Sequence, residues 1–463
     1  MSAELLKLGS EALIPPLTKI INKSIRSGTF PTYWKEAIVK PLWKHKGEKE
    51  EMKNYRPVAL LCLPGMVLER VVAQQLERHM ESNNLFGDFQ FGFRSDRSTQ
   101  TAIATMHCSA QREHNKKKAV GMTMFDLSAA FDTVEKDTLC SKLALLRLHE
   151  STINWIDSYM TNRQQRVKIG NNISESKMIP FGTPQGSRLS PLLFNILTCD
   201  LNLYLNRGLV GNFADDTSNA CAESTIQKTI QALADDASNM IAFTKANNLV
   251  INCDKTAFIC NKKGENHVTV GNQDIKATHS TKLLGMEISG DLTWTAHTEK
   301  LKKKLRQRLG ILRRLKYSLP RFALKQVAEA IFTSNMRYGI ALYCKPKLRE
   351  EESSNKTLRE LTLLQNKMMR IITGKKTSDR ISIESLRKMT ETTSVNHIAV
   401  YHILMETYNI LCNGGSSALK KMLTDTLGTH SMTTRSVSSN KVVQQQNMGK
   451  KMTSYTTARH CGI

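Results

Sequence analysis

No C-x-x-C occurs in these 463 residues, although the chain carries ten cysteines. The closest two, Cys253 and Cys260, are too far apart for a zinc-ribbon or dithiol redox motif. Scattered thiols suit a reducing compartment and packing roles. No apolar run approaches the roughly 18 residues of a membrane span. The opening "MSAELLKLGSEALIPPLTKIINKSI" carries charges throughout, unlike a signal peptide. These absences predict a nuclear or cytoplasmic protein with no membrane association. No glycine-rich segment ends in Gly-Lys-Ser or Gly-Lys-Thr, which excludes a P-loop, and no internal repeat is visible. Acid is scarce as well: 41 Asp and Glu face 66 Lys and Arg, a net charge of +25. Such an excess points to a polyanionic partner, nucleic acid ahead of an anionic membrane.

What is present looks globular, with 40% apolar and 23% charged residues. The length predicts two or three packed subdomains. Residues 1–115 mix helical patterns with short strands such as "EAIVKPLWKHKG" and "NYRPVALL". Residues 116–290 alternate apolar strands with helices. Residues 291–412 are helical, with Leu301, Leu305, Leu312 and Leu315 in register. Nine basic and no acidic residues lie between Lys300 and Lys316. Residues 413–463 turn polar and aperiodic, which predicts poor order.

Two adjacent acidic pairs invite comparison. Asp235 and Asp236 fall in a helical pattern whose apolar stripe is Ile226, Ile230, Leu233, Ala237 and Ile241. They lie beside that stripe, which predicts a solvated face. Asp215 and Asp216 instead sit in "NFADDTSNA", a strand–turn–strand pattern. Asp-Asp makes a poorer hairpin turn than Asn-Gly or Asp-Gly. It makes a good hard-cation site, and a cation would remove the repulsion. The strand that follows, "TSNACAES", is polar for a buried one and predicts a weak hairpin.

A third carboxylate comes from "MTMFDLSAAFDTV". Val120, Met122, Met124 and Asp126 alternate onto one strand face, so Asp126 ends an apolar run. A carboxylate there is costly unless paired or metal-bound. Asp132, near the start of a helical pattern, is expected to be a cap or dipole partner. In "MIPFGTPQGSRLSPLLFNIL", Gly182, Pro184 and Gly186 define a rigid bend with Gln185 at its centre. Ser190-Pro191 begins a helix.

Taken together, "FDLSAAFD", "GTPQGSRLSPLLFNIL" and "FADD", in this order, resemble the palm motifs of reverse transcriptases. The flanking "SGTFPTYWKEAIVKPLWKHKG", "NYRPVALL", "FQFGFRSDRSTQTAI" and "STKLLGMEIS" resemble non-LTR, LINE-type retrotransposons of the jockey-like group. The likeness spans about residues 20 to 375, with the reverse transcriptase domain at about 25–290.

It implies an α+β right-hand polymerase fold: fingers in 1–115, a palm with an antiparallel sheet in 116–290, and a helical thumb in 291–412. It implies RNA-directed DNA synthesis by two-metal nucleotidyl transfer, with Mg²⁺ (Mn²⁺ as substitute) held by Asp126, Asp215 and Asp216. The implied partners are an RNA template, a DNA primer and dNTPs.

The same likeness assigns roles to further residues. Phe131 corresponds to the aromatic that excludes a ribose 2′-hydroxyl, a core aromatic being the other reading. Lys44 and Arg56 correspond to triphosphate-holding fingers residues. Gln185 and Gly186 would meet the nucleotide, and Lys255, otherwise a turn lysine, would be the general acid for pyrophosphate. "KLLGMEI" would be the primer-grip hairpin, and the basic 300–316 helix would track the duplex backbone.

Phe213 stands where a tyrosine is frequent. The chain is expected to lack the element's endonuclease, so nicking would come from another protein, and to be a truncated copy. A catalytically idle nucleic-acid-binding remnant, an RNA-templated RNA polymerase and a Mg²⁺-dependent nuclease are the alternatives. The surviving acids, Phe131 and the order of the motifs argue against each.

Overall fold

Residues 119–125 are Ala-Val-Gly-Met-Thr-Met-Phe, apolar on both alternating faces, and they form a fully buried strand. In the computed structural model, which describes residues 3–262, 264–348, 355–412 and 415–429, this strand is an inner member of a four-stranded antiparallel sheet. The strand order is Ala257–Cys260, Ala119–Phe125, Asp216–Glu223, Leu209–Phe213. Val120, Met122 and Met124 pack with Ile103 and Met106 of the helix Thr99–Asn115 and with the later helices. Phe125 packs on the opposite side with Leu233, Ala237 and Met240 of the helix Ile226–Ala246. The alternation seen in the sequence therefore separates two cores, one on each side of the sheet.

A second sheet joins distant segments. Glu36–Trp43 pairs antiparallel with Tyr55–Leu60 and parallel with Arg163–Ile169, which carries Lys177–Ile179 beside it. Residues 163–179 thus share a sheet with strands from the first 115 residues. Pro57 is tolerated because its strand lies at the sheet edge.

Two expectations need correction. The strand "TSNACAES" is not weak: it pairs with Ala119–Phe125 over seven residue pairs. Three of its buried polar side chains donate hydrogen bonds. Thr217 donates to Asn212 Oδ1 (2.9 Å), Ser218 to the Gly211 carbonyl (3.0 Å), and Asn219 Nδ2 to Asp236 Oδ2 (2.8 Å).

That last partner overturns the reading of Asp236 as a solvated helix residue. The buried stripe of its helix is Thr229, Ala232, Leu233, Asp236, Ala237 and Met240, and Asp236 is wholly buried. Its Oδ1 accepts from the amides of Asn206 and Arg207, both at 3.2 Å. Asp235 does lie on the surface side, paired with Arg207. Adjacent acids therefore differ in worth. Asp236→Ala leaves the buried Asn219 amide and two part-buried main-chain amides without this acceptor and should lower stability by about 3 kcal/mol. Asp235→Ala should cost at most about 0.5 kcal/mol. Urea-unfolding midpoints of the two variants check this.

Beyond residue 290 the described chain is helical. Leu301, Leu305, Leu309 and Leu312 of the helix Thr295–Leu315 are buried. Its basic run is partly neutralised, which the sequence did not suggest. Lys302 is buried between Glu299 and Glu360, and Lys300 pairs with Glu287. Lys303, Lys304, Arg306, Arg313, Arg314 and Lys316 remain exposed. Chain contacts divide the protein into Met1–Ser417 and Ala418–Ile463. In the stretch expected to be poorly ordered, residues Ser417–Thr429 form a helix, and 430–463 lie outside the described residues. Among the described residues no helix is long and apolar enough to cross a membrane.

Candidate active site

Phe213 and Asp216 are paired, so the turn between their strands consists of Ala214 and Asp215 rather than of the two acids. Asp216 heads the outgoing strand. Ala214 has φ +59° and Asp215 is not in the positive-φ region, the φ signature of a type II′ hairpin. Holding alanine there costs about 1 kcal/mol.

The bracing comes from residues 89–92. Asn212 exchanges main-chain bonds with Phe89 and Phe91, both at 2.8 Å. Gly92 lies so close that a Cβ there would sit 2.5 Å from the Ala214 nitrogen. Buried Asn195 donates to the Gly92 carbonyl (2.8 Å) and accepts from Gln90 (2.5 Å).

Asp126 follows the inner strand, whose Phe125 pairs with Thr217, and so it emerges beside the acidic turn. Its carbonyl accepts from the Asn252 amide (2.7 Å), and the exposed Lys255 ammonium lies 3.2 Å from its Oδ2. The carboxyls of Asp215 and Asp216 reach solvent but are hemmed by protein on their other sides. This partial desolvation raises both pKa values. Asp126 raises Asp215 further while Lys255 opposes, and Asp216 is pushed up to about 6 by burial, then Asp215, then Asp126.

Three carboxylates crowded in this way favour a cation, and the Lys255 contact shows that Asp126 accepts one. Among the described residues no three His, Cys, Asp or Glu side chains stand together closely enough to hold a metal ion by themselves. An open site suits Mg²⁺, which keeps its waters and takes one or two carboxylates plus substrate oxygens. The residues present therefore fit a divalent metal whose remaining ligands are water and substrate oxygens.

The bend around Gln185 is built by close approach. Gly182 (φ +88°) packs on the Asp132 carbonyl and Gly186 (φ +122°) on that of Ala59, where a Cβ would come within 2.7 and 2.8 Å respectively. The Ala59 amide donates to the Gln185 carbonyl (2.7 Å). Gln185 Nε2 donates to both carboxylate oxygens of Asp132, at 2.9 and 3.1 Å. Asp132 is therefore no helix cap: the next helix begins at Lys136, and its carboxylate orients Gln185. A cleft of about 270 Å³ lies between this bend and the strands of the second sheet.

Phe131 is half-buried, its ring 4.8 Å from that of Phe194, and its carbonyl accepts from the Thr183 amide (2.8 Å). It is thus both a packing aromatic and a neighbour of the bend. Arg56 lies on the same strand as Ala59, exposed and without an ion-pair partner among the described residues. Lys44 is bonded within its own hairpin, Nζ donating to the Lys53 carbonyl (2.7 Å).

The hairpin Ser280–Leu283/Met286–Ser289 turns through Leu284 (φ +47°) and Gly285 (φ +85°), the signature of type I′. Asp216, Phe213, Lys282 and Gly285 border one cleft of about 150 Å³, so this hairpin faces the acidic turn. The Tyr338 hydroxyl donates to the Leu284 carbonyl and ties the turn to the following helices.

Over residues 44–288 the sequence matches the family pattern described as reverse transcriptase (RNA-dependent DNA polymerase). The chain belongs to the reverse transcriptase family. The right-hand polymerase fold goes with that membership, and polymerases of this family work with divalent metals.

Among curated relatives, the chain is 27% identical over 372 residues to the probable RNA-directed DNA polymerase from transposon BS of Drosophila melanogaster. It is 27% identical over 376 residues to the RNA-directed DNA polymerase from mobile element jockey of Drosophila funebris. Each match covers 77% of this chain and 40% of the relative, so the chain spans about two fifths of their length. Apo telomerase from Candida tropicalis aligns at a TM-score of 0.45 and 12% identity, over 86% of this chain and 68% of that one. The likeness to jockey-type elements, drawn from the motifs, agrees with these relatives.

Sequence reasoning missed Gly92, Asn195 and Asn212 as supports of the acidic turn. "FQFGF", with a glycine between two aromatics, was the available signal for close backbone approach.

Proposed function

We propose that this chain extends a DNA primer on an RNA template with deoxynucleotides. The observation that carries the reading is the convergence of Asp126, Asp215 and Asp216 at one end of the antiparallel sheet, where burial and the charge of Asp126 both raise the proton affinity of Asp215 and Asp216. Two Mg²⁺ ions (Mn²⁺ as substitute) held by these carboxylates would supply an activated primer 3′-hydroxyl and a stabilised leaving pyrophosphate.

The remaining assignments concern the chain's own groups. Arg56 offers a free guanidinium to the triphosphate, and Lys44 adds positive charge just past the end of the neighbouring strand. Gln185, oriented by Asp132, and Gly186 form the wall against which the incoming nucleotide lies. The half-exposed Phe131 edge excludes a 2′-hydroxyl. Lys255 Nζ holds a proton beside Asp126, placed to be delivered to pyrophosphate. The Leu284–Gly285 turn seats the primer end, and the exposed Lys303, Lys304, Arg306, Arg313 and Arg314 follow duplex phosphates.

The test is extension of an end-labelled DNA primer on RNA by the purified chain. A product ladder is expected with dNTPs and Mg²⁺, none with EDTA, and far less with ribonucleotides. Failure to extend, alongside salt-dependent duplex binding, would reassign the chain as an idle binding protein.

A further inference from the structure

Glu69 occupies a position in the helix Leu63–Ser82 that should be apolar. It lies on the stripe of Leu68, Val72, Ala73 and Leu76 and is 1% exposed. A carboxylate so placed is costly unless its oxygens are bonded. Burial raises its pKa, while the Ser187 hydroxyl, Arg163 and the Arg188 amide pull the other way.

The donors are specific. Ser187 Oγ donates to Oε2 at 2.6 Å, the Arg188 amide to the same oxygen at 3.1 Å, and the Tyr159 hydroxyl approaches Oε1 at 3.2 Å. Tyr159 is itself pinned. Its hydroxyl is 2.9 Å from Ser187 Oγ, its carbonyl accepts from Arg163 (3.1 Å), and Trp155 stacks on its ring. Ser187 Oγ also accepts from the amides of Leu189 and Ser190, at 3.0 and 3.3 Å.

Two of the three donors to Glu69 thus belong to the residues immediately after Gln185 and Gly186, although helix and bend are 118 residues apart in sequence. On its other side the bend is held by the Ala59 amide. Gln185 is suspended between these two anchors. An apolar side chain would fill the same volume without desolvating a charge. What the carboxylate adds is an acceptor for the Arg188 amide, and for a Ser187 hydroxyl whose other neighbour is the Tyr159 hydroxyl.

We propose that Glu69 is a positioning residue for nucleotide binding: through Ser187 and the Arg188 amide it fixes the bend that presents Gln185 and Gly186. The inference rests on the polymerase reading above, and its test separates the two. Glu69→Met keeps the volume and removes the acceptor, Ser187→Ala removes the other end of the link, and Glu69→Gln restores an acceptor oxygen.

In primer extension, Glu69→Met and Ser187→Ala should each raise the KM for dNTP about tenfold, with kcat within about threefold. Glu69→Gln should recover most of the loss, and the double variant should be no worse than Glu69→Met alone. Hydrogen exchange gives a readout independent of activity. Amides 182–188 should open about tenfold faster in Glu69→Met, with 216–223 unchanged. An unchanged KM with a lowered Tm, or exchange that rises evenly over the chain, makes Glu69 a structural residue only and overturns the proposal. A wild type that does not extend primers would refute the polymerase reading, and local exchange at 182–188 would still decide whether Glu69 holds the bend.

Discussion

Asp215→Asn is expected to lower primer extension by about a thousandfold or more, because on the proposed reading it removes one of the carboxylates that would hold the catalytic cations. Asparagine keeps the size of the side chain, and the turn is fixed by Ala214 and Gly92 rather than by the carboxylate. Duplex affinity should therefore stay within about twofold, since on the same reading it rests on exposed lysines and arginines. Loss of both properties together would indicate a folding defect instead.

The same substitution should stabilise the chain in metal-free buffer. Asp215 and Asp216 have folded pKa values above the ordinary 3.8, with Asp216 at about 6. Between those two pH values the folded chain holds more protons than the unfolded one. Stability therefore falls as pH rises through that window and stays lowered above it. Asp215→Asn and Asp216→Asn should raise Tm at pH 7.5 in EDTA and change it little near pH 3.5. Mg²⁺ should raise the wild-type Tm and leave that of the variants nearly unmoved. Thermal melts at two pH values, with and without Mg²⁺, read all of this. A destabilised Asp215→Asn at neutral pH in EDTA would refute the argument from charge crowding.

On the proposed reading, a trade of stability for a cation site is the reason two acids stand together in "FADD", and most of that reading was legible in the sequence. The alternation of Val120, Met122 and Met124 ends at Asp126, and an apolar strand face that stops on a carboxylate is rare enough to be noticed. The bend of Gly182, Pro184 and Gly186 was visible as well, because glycine and proline act locally. Asp236 and Glu69 were not legible. Each is a helical acid that looks solvated until a partner far away in sequence is known: Asn219 and two loop amides for one, Ser187 and Arg188 for the other. Helical periodicity locates a stripe to within one residue's rotation, and at Asp236 that rotation separates a surface acid from a buried one. Nor could periodicity show residues 163–179 returning to the strands of the first 115, since a parallel pairing leaves no local signal.

The second large effect is expected from Gly92→Ala, a single methyl with no charge. A Cβ at this position would lie 2.5 Å from the Ala214 nitrogen and 3.0 Å from the Phe213 carbonyl carbon. Both are backbone atoms of the acidic turn and cannot swing aside as a side-chain tip would. The neighbouring chain cannot retreat easily either. Phe91 and Phe89 are bonded to Asn212, and the Gly92 carbonyl is held by Asn195. The least constrained group is the turn itself, where Ala214 already sits at φ +59°. The strain should therefore move Asp215 away from Asp126. Overpacking of this kind costs about 2 kcal/mol. A displacement near 1 Å in a positioned carboxylate costs about a hundredfold in rate. Extension should fall by that factor in kcat at saturating dNTP, with the Mg²⁺ requirement shifted to higher concentration, because the carboxylates would no longer meet at their native spacing. Ala214→Gly in the same background relieves the turn of its left-handed penalty and should restore part of the Tm but little of the rate. If Gly92→Ala keeps the wild-type Mg²⁺ dependence and loses only stability, the glycine serves packing alone and the turn is not what yields.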